Sequence, residues 1–359
     1  MARLATSHMA HPLQATKRNV WLSRRVPRMA RHMRCQPVGP SACLTSVAAM
    51  TQEPETVDSI HTAALARTVC VANGKGGVSK TSVAANLGGL SAAGGFRVLL
   101  IDLDPQGDLS DDLGYYANPA DDHGQQLAES LITGSPLAAN LVGVRDRLDV
   151  VSGGEWLGDA TDQLAQDLKG GRPASDVLGL VLAPLAAGYD LVLIDTPPVD
   201  ATLQSIALAA ARWLLIPTRA DASSIRGIRR IAERLHETPH QLDLLGVVLT
   251  GVPTSASRIR AGAAQDIQAV LGGSAPLLDA TIRASDAVAR STRDRGLLVH
   301  ELAEQVEGAE PYWQALRQGT TPVRLPSSAP ALADDYVRLT EEVLKRIAEL
   351  EASATTGAA

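Results

Sequence analysis

Two of the chain's five lysines, Lys75 and Lys80, fall inside one short run, Asn73-Gly74-Lys75-Gly76-Gly77-Val78-Ser79-Lys80-Thr81-Ser82. The others are Lys17, Lys169 and Lys345, and the remaining 28 of the 33 basic residues are arginine. An ammonium is a compact point charge on a flexible stem, whereas a guanidinium is a planar fork. A chain this biased toward arginine that places two lysines in a glycine-rich loop points to point-charge contacts on phosphate oxygens. The neighbours agree. Thr68 to Ala72 is a short apolar, β-branched strand pattern, and Thr81 to Ala93 is an Ala- and Leu-rich helix pattern stopped by Gly94-Gly95. Strand, glycine loop, Lys-Thr and helix form the context of a phosphate-binding loop. Backbone N–H groups from Gly74 through Gly76, Gly77, Val78 and Ser79 to Lys80, Thr81 and Ser82 wrap the phosphates, aided by the helix N-terminus. Lys80 reaches the β- and γ-phosphates, and the Thr81 hydroxyl is a Mg²⁺ ligand. Ser79 stands where the general pattern has its second glycine, which requires an allowed backbone conformation there or stores strain.

Carboxylates complete the set. Val98 to Asp104 and Leu191 to Asp195 are apolar runs that end in acid, Asp102 and Asp104 in the first and Asp195 in the second. Alternation puts Asp102 and Asp104 on one side of their strand. Either could orient a water, or cap a turn. Asp195, followed by Thr196-Pro197-Pro198, reads as the residue that holds a metal-bound water.

Lys75 in the run K-G-G-x-x-K-[ST] resembles the deviant Walker A loop of the ParA/MinD group of ATPases. Asp102-Leu103-Asp104-Pro105-Gln106-Gly107 resembles that group's switch I, Asp195-Thr196-Pro197-Pro198 its Walker B strand and switch II, and Leu214-Leu215-Ile216-Pro217-Thr218 the next strand. Asp-Pro-Gln-Gly favours the ParA partition branch. The likeness covers about 67–300 and a closing helix. It implies ATP and Mg²⁺ as ligands, Asp104 as the water-activating residue, and a nucleotide-sandwich dimer in which Lys75 reaches the partner's ATP. It further implies non-specific binding of double-stranded DNA, hydrolysis stimulated by a ParB-like adaptor, and a cytoplasmic, nucleoid-associated location. The DNA-contact arginines it implies are Arg258, Arg260, Arg290 and Arg293, in a cluster with Arg283 and Arg295. A second cluster, Arg226, Arg229, Arg230 and Arg234, is spaced for one helix face.

Other readings compete. A MinD-like membrane-associated ATPase needs a basic amphipathic C-terminal helix, but Glu341, Glu342, Glu349 and Glu351 make this one acidic. No membrane contact is expected. An iron–sulfur reductase with the same loop needs cysteine ligands, and of Cys35, Cys43 and Cys70 only the last lies in the domain. A non-hydrolysing, ATP-locked DNA-binding scaffold stays open because of Ser79.

These residues need a scaffold. Strand patterns at 67–73, 97–103, 147–151, 190–195, 212–217 and 244–250 alternate with helical ones at 80–93, 124–133, 174–187, 202–210, 224–236 and 262–271. Such alternation predicts an α/β fold, a twisted parallel sheet with helices on both faces. Ligands bind such sheets beyond the strands' carboxyl ends, where the glycine loop, Asp104 and Asp195 all fall. With 45% hydrophobic and only 3% aromatic residues, the core must be built from Ala, Val, Leu and Ile. Residues 304–331, broken by Gly308, Pro311, Gly319, Pro322 and Pro326, read as an irregular loop, 332–350 as a closing helix and 351–359 as a disordered tail. Residues 1–66 read as a basic N-terminal extension. The first 52 residues hold eight basic and no acidic ones, leaving 25 basic against 39 acidic, or −14, for the rest. Met50 offers an alternative start.

Overall fold

A computed structural model describes residues 63–235, 242–253, 257–271, 277–309, 317 and 324–357. The expectations for residues 1–62 lie outside it.

The apolar runs become eight strands: β1 (Thr68–Val71), β2 (Val98–Asp102), β3 (Leu141–Arg145), β4 (Leu148–Val151), β5 (Leu191–Asp195), β6 (Trp213–Thr218), β7 (Asp243–Val252) and β8 (Leu277–Arg283). They form one sheet in the order β3-β4-β2-β5-β1-β6-β7-β8. Every pairing is parallel except β3 with β4. The helices are α1 (Lys80–Ala93), α2 (Leu109–Leu113), α3 (Gln125–Thr133), α4 (Glu155–Lys169), α5 (Ala174–Ala186), α6 (Ala201–Ala210), α7 (Ala222–Leu235), α8 (Ser257–Leu271), α9 (Asp286–Arg293), α10 (Val299–Gly308) and α11 (Ala329–Gly357).

Strand alternation divides the core into two layers. Val69, Val71, Val98 and Leu100 face one layer with apolar residues of α1, α2, α9, α10 and α11. Cys70, Leu99, Ile101 and Ile194 face the other, with those of α3 to α8. Because both faces are covered, the inner strands are near-continuous apolar runs, with polar residues such as Asp102, Asp195 and Thr218 at their carboxyl ends. The sheet with helices on both faces is the architecture expected from the sequence.

Several elements differ from that expectation. The edge strand β3 was not anticipated, because its middle positions, Val142 and Gly143, are exposed and supply no apolar period. The irregular loop expected from 304 is helical up to Gly308, since α10 continues through it, and the closing helix begins at Ala329. That helix also runs through the expected tail to Gly357. A paired side chain helps hold it there: Glu351 accepts two hydrogen bonds from Arg67, at 2.9 and 3.1 Å.

Candidate functional site

β1 lies between β5 and β6, so the glycine loop leaves the middle of the sheet. Asn73 anchors it. Its buried Nδ2 donates to Pro217 O (2.9 Å), and its Oδ1 accepts from Lys75 N (3.0 Å). Helix α7 closes one flank: Gly74 N donates to Gly227 O (3.3 Å), and Arg230 Nη1 donates to Gly74 O (3.2 Å). The contact is so close that a Cβ on Gly227 would overlap Asn73 Oδ1 and lie 3.0 Å from Lys75 N. On the far flank the Thr250 hydroxyl lies 3.1 Å from Val78 O and 3.2 Å from Thr218 O. Gly77 and Ser79 both take left-handed backbone, with φ of 71° and 67°. For Gly77 this is free, whereas for Ser79 it costs about 1–2 kcal/mol, so the departure from glycine is a strained one. Ser79 O accepts from Val83 N (2.9 Å) and opens α1. Lys75 is exposed on the loop's outer face, while Lys80 is buried. Burial holds the Lys80 ammonium below its usual range, opposed by the charges of Asp195, Asp104 and Asp108.

Asp195 stands in register with Val71 on one side and Asp102 on the other. Three adjacent strand ends therefore meet under the loop. Both Asp195 carboxylate oxygens are buried with no hydrogen-bond partner among the described residues. Burial pushes the carboxyl up. The Thr81 hydroxyl and Lys80 oppose this without giving either oxygen a full hydrogen bond. An unpartnered buried carboxylate is costly unless it is protonated or faces a cation. Among the described residues no three His, Cys, Asp or Glu side chains form a metal cage. Mg²⁺ does not need one, since it keeps waters and takes phosphate oxygens with one or two protein ligands. The orphaned oxygens beside Thr81 fit that kind of site.

The two switch carboxylates, expected on one side of their strand, have different surroundings. Asp102 is fully buried, its Oδ1 accepting from Asp104 N (3.0 Å), and burial and Asp195 drive its carboxyl well up. Asp104 accepts from Gln106 N (3.0 Å) and lies in the field of Lys80, which partly offsets the upward push of burial. Asp102 thus braces the turn, and Asp104 faces the loop lysine. Sequence reasoning missed Gln204 on α6, which donates to Pro197 O (2.5 Å) and accepts from Arg234. As the lone amide in an Ala- and Leu-rich helix, it was the available signal.

The candidate DNA arginines do not form one free patch. Arg258 and Arg290 are exposed, but Arg260 pairs with Asp279 (2.9 Å) and Arg293 with the buried Asp112 (2.9 Å). Arg283 is engaged by Asp335 (2.6 Å). In the second cluster, Arg226 and Arg229 are exposed, while Arg230 and Arg234 brace the glycine loop and Gln204.

Comparison with known proteins places this geometry. A family model described as an AAA domain matches residues 66–244. The chain is 37% identical over 188 residues to the chromosome-partitioning ATPase Soj of Thermus thermophilus, covering 51% of this chain and 69% of that protein. Among solved structures, apo McdA of Cyanothece aligns with a TM-score of 0.54 at 25% identity, covering 66% of this chain and 93% of that one. Cobyrinic acid a,c-diamide synthase of Mycobacterium smegmatis, solved with ADP and magnesium, aligns with a TM-score of 0.52 at 27% identity, covering 72% of this chain and 99% of that one. The chain belongs to the ParA-like family of P-loop ATPases. Among the described residues no helix is long and apolar enough to cross a membrane.

Proposed function

We propose that the chain is a DNA-partition ATPase whose ATP-bound dimer binds DNA without sequence preference and is reset by hydrolysis. The observation that carries this reading is the paired arrangement of buried Lys80 and unpartnered Asp195 below the glycine loop. That pair fits a triphosphate together with a hydrated cation. The loop amides and Lys80 hold the β- and γ-phosphates, and Thr81 with Asp195 would hold Mg²⁺ directly or through water. When bound, the ion neutralises charge on the phosphate oxygens. Asp104, beside Lys80, orients the attacking water, and Asp102 fixes the turn that presents it. The exposed Lys75 reaches the partner's ATP, comparable to an arginine finger. Dimerisation doubles the phosphate contacts and makes the second set intramolecular, raising apparent DNA affinity by roughly 10²-fold. A ParB-like adaptor stimulates hydrolysis and releases the DNA, with the protein cytoplasmic and on the nucleoid. The test is binding to a random-sequence duplex with ATP, with ADP and with no nucleotide. Retention with ATP alone supports the reading, and equal binding in all three states refutes it.

A further inference from the structure

Three arginines converge on one groove that the sequence did not assemble. The groove encloses about 790 Å³ between α9 and residues 324–326, and Arg290, Arg295 and Arg324 line it. None of the three has an ion-pair partner among the described residues, whereas Arg260, Arg283 and Arg293 are each paired. Asp286 and Asp294 share the groove, so an anion held there is bound weakly and is easily displaced by salt.

The same helix is tied to the nucleotide site. Its last residue, Arg293, donates from Nε to Asp112 Oδ1 (2.9 Å), and Asp112 is buried on α2, just beyond the switch loop of Asp104. Ser82, next to Thr81 at the start of α1, also stabilises the Asp112 carboxylate. Backbone packs on backbone beside this pair: a Cβ on Gly114 would lie 2.7 Å from Gly296 Cα. Arg145 closes the joint by donating to Leu113 O (3.2 Å) and Gly296 O (2.9 Å). The switch loop thus runs directly into α2, and α2 is fastened to the end of α9.

We propose that this groove is the DNA-backbone site, with Arg290, Arg295 and Arg324 as its phosphate contacts, and that Arg293 is a strut coupling it to the switch loop through Asp112. The proposal rests on the DNA-binding reading above and deepens it in two ways. It brings in Arg324, and it removes Arg293 from the contacts. The strut gives nucleotide a route to the groove within one protomer, beside the dimer effect.

The experiment measures binding of the full chain to a fluorescent random-sequence duplex over a range of salt concentrations, with ATP and with ADP. Each lost phosphate contact lowers the slope of log affinity against log salt by about 0.9. Arg324→Gln should lower the slope by that amount, and so should Arg290→Gln. The double variant Asp112→Asn with Arg293→Gln leaves no buried charge unpaired; it should keep the slope and shrink the ATP-to-ADP affinity ratio. A wild-type slope for Arg324→Gln overturns the groove, and this surface change does not depend on whether the double variant folds. A lowered slope with an unchanged ATP-to-ADP ratio in the double variant overturns the strut and restores Arg293 as a contact. If the wild-type chain retains no DNA in any nucleotide state, the functional reading itself fails; if it binds while Arg324→Gln changes nothing, only the groove fails.

Discussion

Replacing Gly227 by alanine puts a methyl group into the tightest joint of the nucleotide loop. The new carbon would overlap Asn73 Oδ1 and stand 3.0 Å from both Lys75 N and Lys75 Cβ. Asn73 cannot swing aside cheaply, because its buried amide donates to Pro217 O and accepts from Lys75 N. Losing one of those bonds and leaving a buried polar group unpaired costs about 1–3 kcal/mol. If the helix shifts instead, overpacking costs about 1–3 kcal/mol. Against this, alanine in a helix gains about 1 kcal/mol over glycine. The net loss is then about 0–2 kcal/mol, or a fall in Tm of up to about 8 °C at about 2–4 °C per kcal/mol. Nucleotide affinity should fall as well, because Lys75, held by Asn73, fixes the start of the glycine loop whose following amides form the phosphate cradle. Gly262→Ala is the matched control. It is also helical, with nothing within 4 Å of the added carbon, and should be neutral or stabilising by up to about 1 kcal/mol. Thermal melts with and without ATP compare the two. A Gly227→Ala chain that melts and binds nucleotide like the Gly262→Ala chain would refute the packing argument.

Lys80→Ala should abolish Mg-ATP binding, measured by calorimetry, whereas Lys75→Ala should bind ATP and lose dimer-dependent hydrolysis; equal loss of binding in both removes the reach of Lys75 to a partner. Asp104→Ala should accumulate as an ATP-bound dimer on size-exclusion chromatography, and wild-type turnover in that variant would shift the water-orienting role to Asp102 or elsewhere. His300 is buried and its imidazole is held down to about 4, by desolvation first and by Arg145, against the pull of Glu301. A depressed imidazole must stay neutral in the folded chain, so its stabilising effect is full above the unfolded value near 6.5 and is lost as pH falls toward about 4. Denaturant melts between pH 7 and pH 4 should show a shallower decline for His300→Gln than for the wild type, by up to about 3 kcal/mol at the acid end; parallel curves would show that His300 does not titrate with unfolding.

Local chemistry was what the sequence displayed. The loop, the flanking strands and the acids at their ends are each contiguous, and the alternation of apolar runs with helical stretches placed them beyond the carboxyl ends of one sheet. The elements that were missed carry only a thin apolar stripe. α9 is Asp-Ala-Val-Ala-Arg-Ser-Thr-Arg with only Val288 and Thr292 buried, α4 buries only Leu157, Ala160 and Leu164, and the edge strand β8 alternates buried Leu278, Ala280 and Ile282 with partly exposed neighbours instead of running continuously apolar.

The arginines were the least legible residues, for a physical reason. An arginine's availability to a partner depends on whether a carboxylate has already taken it, and that carboxylate can come from anywhere in the chain. Arg260 is taken from 19 residues away, Arg283 from 52 and Arg293 from 181. No window of sequence contains the last pair. The lysines of the loop escape this difficulty because their work is set by backbone they carry with them: Lys80 begins the helix that the glycine loop opens, and Lys75 is pinned by Asn73 two residues earlier. A basic patch read from sequence is therefore a set of charges still to be divided between internal pairs and free contacts. Here that division leaves Arg290 and Arg295 to the surface, joins them to Arg324 from beyond α10, and ties the half-exposed Arg293 to Asp112 beside the switch loop.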